Sequence, residues 1–236
     1  MIAVIQAGGK GTRLQPYTFV MPKPLMPVGG LPVLEILLKW LRRWGVKKIF
    51  ITTGYLGHLI RALCENGINQ GIDISFSQEP EPLGTVGGLR LLEDQLKETF
   101  LTLNGDLITD LDLNSFISFH KEFGGLLTVG ITEKEIEVDF GVLDSEGGAV
   151  TTFREKPMMR FKVSMGIYCM EPDILSLIPH GMPFGFDDLV HEMLRQRLPI
   201  YVYEHKGLWM DIGREEDFKH AQNCFLKDYK SVVLGC

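Results

Sequence analysis

The chain has 236 residues, 45% of them hydrophobic and 23% charged, with a formal net charge of −6. That is apolar material for one sizeable core, or one core with a small appended lobe, and a single domain spanning residues 1–236 is expected. An acidic balance without a Lys/Arg-rich block argues against nucleic acid or an anionic membrane surface as partner.

The N-terminus, MIAVIQAGGKG, lacks a basic region followed by an apolar stretch of signal-peptide length. No segment approaches the roughly 20 apolar residues of a membrane span, so a cytoplasmic protein is expected. Cys64, Cys169, Cys224 and Cys236 form no CxxC pair and no zinc-like spacing with histidine, and read as reduced thiols.

Along the chain, short β-rich runs alternate with helical patterns. A strand at Ile2 to Gln6 precedes a helix from Pro32 to Trp44, whose stripe is Val33, Leu34, Leu37, Leu38, Leu41 and Trp44 and which stops at Gly45. Strands follow at Lys48 to Thr52, Ile74 to Ser77 and Phe100 to Leu103, with a helix from near Thr85 through Leu91, Leu92 and Leu96. This rhythm predicts βαβ units and a parallel, doubly wound sheet. After Leu126 the rhythm changes. Strands at Leu127 to Ile131, Phe140 to Leu143, Val150 to Phe153 and Val163 to Cys169, separated by Gly- and Pro-bearing turns, read as partly antiparallel additions around a substrate. Helices at Asp187 to Arg195 and Arg214 to Lys227 flank a last strand, Ile200 to Tyr203. The fold class is α/β, Rossmann-like, with a mixed sheet.

The first strand runs into Ala7-Gly8-Gly9-Lys10-Gly11-Thr12-Arg13-Leu14. Successive glycines let backbone N–H groups converge on an anion without Cβ obstruction, and a triphosphate fits that description. The alternative is a tight strand-to-helix turn. The loop is neither a Walker loop nor GxGxxG, whose glycine spacings it lacks. Further on, Pro22-Lys23-Pro24 fixes the backbone on both sides of one cation and excludes a regular helix there. Alone, such a tripeptide is usually a solvated turn.

Gly-Gly-x-Gly-Thr-Arg-Leu followed by Pro-Lys-Pro resembles the signature of the sugar-1-phosphate nucleotidyltransferases. The likeness continues through Glu81-Pro82-Leu83-Gly84-Thr85, Leu103-Asn104-Gly105-Asp106, Phe140-Gly141-Val142, Glu155-Lys156-Pro157, Gly166-Ile167-Tyr168 and Trp209-Met210-Asp211-Ile212-Gly213, in the family's order. Within the family the chain looks most like the short members acting on mannose 1-phosphate, heptose 1-phosphate or N-acetylmuramate 1-phosphate, without the appended β-helix domain of larger relatives. The resemblance implies the nucleotide-diphospho-sugar transferase fold, a nucleoside triphosphate and a sugar 1-phosphate as partners, and Mg²⁺ as cofactor. A homo-oligomer is left open.

By the same resemblance, Arg13 holds the leaving phosphates, Lys23 bridges the α-phosphate and the incoming sugar phosphate, and Asp106 and Asp211 hold the metal. Asp106 follows an apolar strand and so emerges where ligands bind in open α/β sheets; two carboxylates plus phosphate oxygens and water suit Mg²⁺. The nucleotide site comprises Gln6, Ala7, Gly8, Gly9, Gly11, Thr12, Arg13, Glu79, Gly84, Thr85 and Asp106. Sugar-phosphate recognition falls to Lys23, Gly141, Glu155, Lys156 and Ser164, where relatives commonly carry asparagine at the last position. Gln6 is a second departure, at a place where relatives usually carry an apolar residue; its amide reaches the nucleotide or satisfies a neighbouring backbone group. Glu79 favours GTP, because a carboxylate accepts from guanine N1–H and N2–H₂ together but is repelled by the two carbonyls of uracil or thymine. A solvated loop glutamate is its other reading, and UTP, CTP or dTTP the other substrates.

Overall fold

The computed structural model describes residues 1–65 and 71–224. Strand β1 (Ile2–Ala7) opens the chain, and its side chains divide by parity: Ala3, Ile5 and Ala7 enter one hydrophobic core, Val4 another on the opposite face. That two-residue division is what a strand buried on both faces requires. After the short pair β2 (Pro27–Val28) and β3 (Leu31–Pro32), helix α1 (Val33–Arg43) packs into the first core. Gly45, at φ 77°, ends it: the Gly45 N–H donates to Arg42 O at 2.9 Å and the Val46 N–H to Leu41 O at 3.1 Å. These are the paired bonds of a Schellman end, which satisfy carbonyls the helix leaves open. Trp40 is buried in the stripe, whereas Trp44, expected there, is half-buried at the turn.

Strands β4 (Lys48–Thr53), β5 (Asp73–Gln78) and β6 (Phe100–Asn104) join β1 in parallel, with α2 (Gly57–Leu63) and α3 (Gly84–Gly87) between them. The remaining elements are β7 (Leu107–Thr109), α4 (Leu113–Phe123), β8 (Leu127–Glu137), β9 (Val142–Glu146), β10 (Ala149–Arg154), β11 (Met158–Met170), α5 (Phe186–Arg195), β12 (Ile200–Glu204), β13 (Trp209–Asp211) and α6 (Glu215–Cys224). The main sheet runs β12-β8-β11-β6-β1-β4-β5. Only β11 opposes its neighbours; β12 and β8 are parallel to each other, so the sheet is mixed and mostly parallel. Helices cover both faces, α1, α4 and α6 on one core and α3 and α5 on the other.

Two expectations need correction. The long helix from Thr85 through Leu96 is one α-turn, α3, followed by a 3₁₀ segment at Gly88–Leu92. Gly84, Gly87 and Gly88 cost helical stability. Their lack of side chains also admits close neighbours: a Cβ on Gly84 would stand 2.7 Å from Phe184 O and one on Gly88 2.8 Å from Glu79 Oε1. The late strands are also longer than expected. The first half of β8 and the last of β11 lie buried in the sheet, while their other halves continue the same ladder in mostly exposed positions and lead into the exposed β9–β10 hairpin. Residues 225–227 of the last expected helix and Cys236 lie outside the described residues. Cys64, Cys169 and Cys224 are free thiols. Among the described residues no helix is long and apolar enough to cross a membrane.

Candidate active site

A cleft of about 400 Å³ opens at the carboxyl ends of β1, β4, β5 and β6. Gln6, Ala7, Gly8, Gly9, Gly11, Thr12, Arg13, Lys23, Glu79, Gly84, Thr85 and Asp106 line it, so every residue expected at the nucleotide shares one cavity. Pro24, Thr52, Pro82, Asn104 and Gly105 complete the wall.

The glycine loop owes its shape to two positions. Gly11 has φ 62°, and a Cβ there would stand 2.9 Å from the methyl of Thr18, whose hydroxyl donates to Gly11 O at 2.9 Å. A single 3₁₀ turn, Thr12–Leu14, follows; buried Leu14 anchors it and Arg13 remains exposed at the cleft. At Gly8 the reason is proximity: a Cβ would lie 3.0 Å from both carboxylate oxygens of Glu79. Glu79 is half-buried and its Oε2 accepts from the Leu83 N–H at 3.1 Å. Burial pushes its carboxyl above the usual range, and that hydrogen bond partly offsets the push.

Lys23 stands in a 3₁₀ turn, Lys23–Leu25, entered from extended Pro22, as the flanking prolines dictate. Its ammonium contacts Asp106 Oδ2 and lies 3.7 Å from Asp211 Oδ1. Asp106 lies two residues beyond the end of β6, after Gly105. Asp211 arrives from the far end of the chain because β13 pairs antiparallel with β7, setting Asp211 opposite Leu107, and because the Ile212 N–H donates to Asp106 O at 2.9 Å. The Trp209 indole N–H fixes this segment to Met165 O at 2.9 Å, and His205 Nε2 lies 2.8 Å from Asp110 Oδ1. Burial, then the charge of Asp106 with a smaller push from Asp217, raises the Asp211 carboxyl above its ordinary range; Lys23 and Arg13 pull it the other way.

One lysine between two carboxylates leaves a net negative charge, and Asp106 Oδ1 is buried without a hydrogen-bond partner. That orphaned hard oxygen beside a second carboxylate fits a divalent cation such as Mg²⁺. Among the described residues no group of three or more His, Cys, Asp or Glu side chains could hold a metal, so phosphate oxygens and water would have to fill the other positions.

The residues expected at the sugar are placed differently. Gly141, Glu155 and Lys156 are exposed beside the β9–β10 hairpin and do not line the cleft. Gly141 and Glu155 adjoin, since a Cβ on Gly141 would stand 3.3 Å from Glu155 Oε2; Lys156, at φ 42°, donates to Asp139 Oδ1 at 2.6 Å. Ser164 sits at the irregularity in β11, where its hydroxyl donates to the Tyr168 OH and accepts from the Gly166 N–H, both at 3.2 Å. Gly166, at φ 71°, abuts the Asn104 side chain, which links Ser164 to the cleft wall.

A mostly parallel sheet covered by helices on both faces, with its cleft at the strand ends, defines a protein of the nucleotide-diphospho-sugar transferase fold. The chain belongs to the nucleotidyl transferase family, which it matches over residues 2–228. It is 33% identical, over 99% of its length, to a UTP–glucose-1-phosphate uridylyltransferase of Synechocystis sp., and 32% identical, over 92%, to a mannose-1-phosphate guanyltransferase of Saccharomyces cerevisiae. It spans 66% and 63% of those relatives' lengths, less than two thirds of either. Among solved structures, HddC from Yersinia pseudotuberculosis superposes with a TM-score of 0.76 at 27% identity, covering 95% of this chain and 99% of that one.

Proposed function

We propose that the chain transfers a nucleoside monophosphate from a nucleoside triphosphate to a sugar 1-phosphate, with GTP and a mannose- or heptose-type sugar favoured, within one catalytic domain. The observation that carries this reading is the lysine held between two aspartates beside a glycine-rich loop, in a chain whose relatives are named for this chemistry. An oxygen of the sugar phosphate attacks the α-phosphorus in line. The bond from the α-phosphorus to the bridging oxygen breaks, and its electron pair leaves with pyrophosphate. Little covalent work falls to the protein, so positioning and charge neutralisation supply the acceleration.

Backbone N–H groups of Gly8, Gly9 and Gly11 cradle the triphosphate, and Arg13 neutralises its leaving end. Lys23 bridges donor and acceptor phosphates. Asp106 and Asp211 would hold Mg²⁺, which neutralises phosphate charge when bound. Gly141, Glu155, Lys156 and Ser164 serve the sugar phosphate from the exposed side. Glu79 favours guanine by accepting from its two adjacent donors. UTP with glucose 1-phosphate is the second reading, favoured by the name of the Synechocystis relative.

The test is a pyrophosphate-release screen of four nucleoside triphosphates against a panel of sugar 1-phosphates. Turnover with GTP is expected to lead, and Glu79→Gln to erode the GTP-over-UTP ratio in kcat/KM by roughly 10- to 100-fold. A wild-type preference for UTP would decide for the second reading, and no turnover with any pair would overturn both.

A further inference from the structure

Among the described residues, Gln6 stands out because both polar atoms of its side chain, Nε2 and Oε1, are buried without a hydrogen-bond partner. A residue retained only for packing would be better served there by an apolar side chain, since an enclosed unpaired amide costs its full desolvation. Its surroundings suggest what the amide is for. Gln6 pairs in register with Thr52 on β4 and Asn104 on β6, and all three line the cleft. By strand parity its side chain shares the face of Val4, Phe50 and Thr52. Thr52 leads directly to Glu79: a Cβ built on Gly88 would meet Glu79 Oε1 at 2.8 Å and the Thr52 methyl at 3.5 Å. The same Glu79 carboxylate faces Gly8, two residues after Gln6. Gln6 and Glu79 thus line one cleft and are connected through Thr52 and Gly8, a carboxamide with an unused donor and a carboxylate with acceptors to spare.

We propose that Gln6 is a base-reading residue, whose amide turns out of the floor to donate to the O6 of a guanine held by Glu79. This rests on the guanine reading above and deepens it. The guanine edge offers two donors, N2–H₂ and N1–H, followed by one acceptor, O6. Glu79 alone can take the donors but repels O6; Gln6 supplies the missing donor. The pair then reads acceptor, acceptor, donor. Uracil and thymine, with acceptor, donor, acceptor, cannot match it in either orientation. Gln6 is half-buried as a residue while its amide is hidden, and its reading of the base requires the stem to rotate and present the amide.

The experiment compares wild type with Gln6→Leu in the intact chain, using GTP, ITP and 6-thio-GTP. ITP keeps N1–H and O6, whereas 6-thio-GTP keeps both donors and replaces O6 with a weakly accepting sulfur. Gln6→Leu is expected to lower kcat/KM about 10-fold or more for GTP and ITP but by less than about threefold for 6-thio-GTP, through KM for the nucleotide, with KM for the sugar phosphate unchanged. The ligand-free variant is expected to melt at or above the wild-type temperature, because it removes an unpaired buried amide. Equal losses for all three nucleotides, no loss, or a melting temperature several degrees lower would return Gln6 to a structural role. A wild type that prefers UTP would overturn the guanine reading and this proposal with it, whereas a GTP-preferring enzyme indifferent to Gln6→Leu overturns only this one.

Discussion

Replacing Lys23 with methionine tests how the cleft holds its charges. The change keeps the length and apolar stem of the side chain and removes the ammonium that contacts Asp106 and lies 3.7 Å from Asp211. At that distance and an effective dielectric near 20, one such attraction is worth about 4 kcal/mol gross, before the cost of desolvating the charges is subtracted. Breaking the arrangement leaves two carboxylates facing each other, so a net loss of roughly 1–3 kcal/mol is expected without metal, or about 3–10 °C in Tm for a chain of this size. Millimolar Mg²⁺ should recover much of that loss, because a divalent ion can take the ammonium's place between the carboxylates. Activity should not recover, since the cation that bridges donor and acceptor phosphates is gone, and turnover should fall at least about 100-fold. Differential scanning calorimetry with and without Mg²⁺, beside pyrophosphate release, checks both halves. A Tm within a degree of wild type that ignores Mg²⁺, or turnover within tenfold of wild type, refutes the reasoning.

Asp211→Asn should lower Mg²⁺-dependent turnover by about 100-fold or more. It should not lower the metal-free Tm, since burial and Asp106 already disfavour the charge it removes; full activity in EDTA would contradict this. Arg13→Ala, at an exposed site on the glycine loop, should raise KM for the nucleotide more than it lowers kcat, read from initial rates at saturating sugar phosphate. Burial holds the Cys64 thiol up at about 11 and the Cys169 thiol at about 12, against an ordinary value of 9.0. Both should therefore resist iodoacetamide at pH 8 in the native protein, which mass spectrometry of digested samples reads directly. The same shifts have a stability sign. The thiols ionise more easily in the unfolded chain, so their contribution is complete below pH 9 and is lost as the pH rises from 9 towards 11–12, visible as a falling Tm.

What could be read from the chain followed from how strongly each residue constrains its own backbone. Helix α1 was legible to within a residue at each end, because an apolar stripe and the glycine that closes it are both local signals. The Thr85–Leu96 helix was misread because its leucines keep helical spacing while Gly84, Gly87 and Gly88 serve contacts with Phe184 and Glu79 that no local pattern reveals. Helix α4 carries both its end signals, Asp112 accepting from the Ser115 N–H at 2.9 Å and Gly124 in the left-handed region, yet its apolar residues are too mixed with polar ones to form a clear stripe. Strands β7 and β13 are three residues each, too short to show alternation, although they set Asp211 beside Asp106. In the cleft, the residues expected at the nucleotide gather because most of them lie on one continuous segment, the end of β1 and the glycine loop that follows it. Thr52 lines the cleft without any local signal, since a threonine in a β-branched run looks like any other strand residue. Gly141, Glu155 and Lys156 stand apart from the cleft, beside a hairpin whose position depends on the long pairing of β8 with β11.

The pairing of β13 with β7 also imposes an order of assembly. The cleft-lining residues from the glycine loop to Asp106 all precede β13 in the sequence. The second carboxylate is carried by one of the last described strands, and its pairing partner must wait for it. An emerging chain, folding from its N-terminus at the pace of synthesis, therefore presents the glycine loop and Asp106 well before Asp211. The antiparallel pairing of these two three-residue strands is the step that brings the second carboxylate to the first.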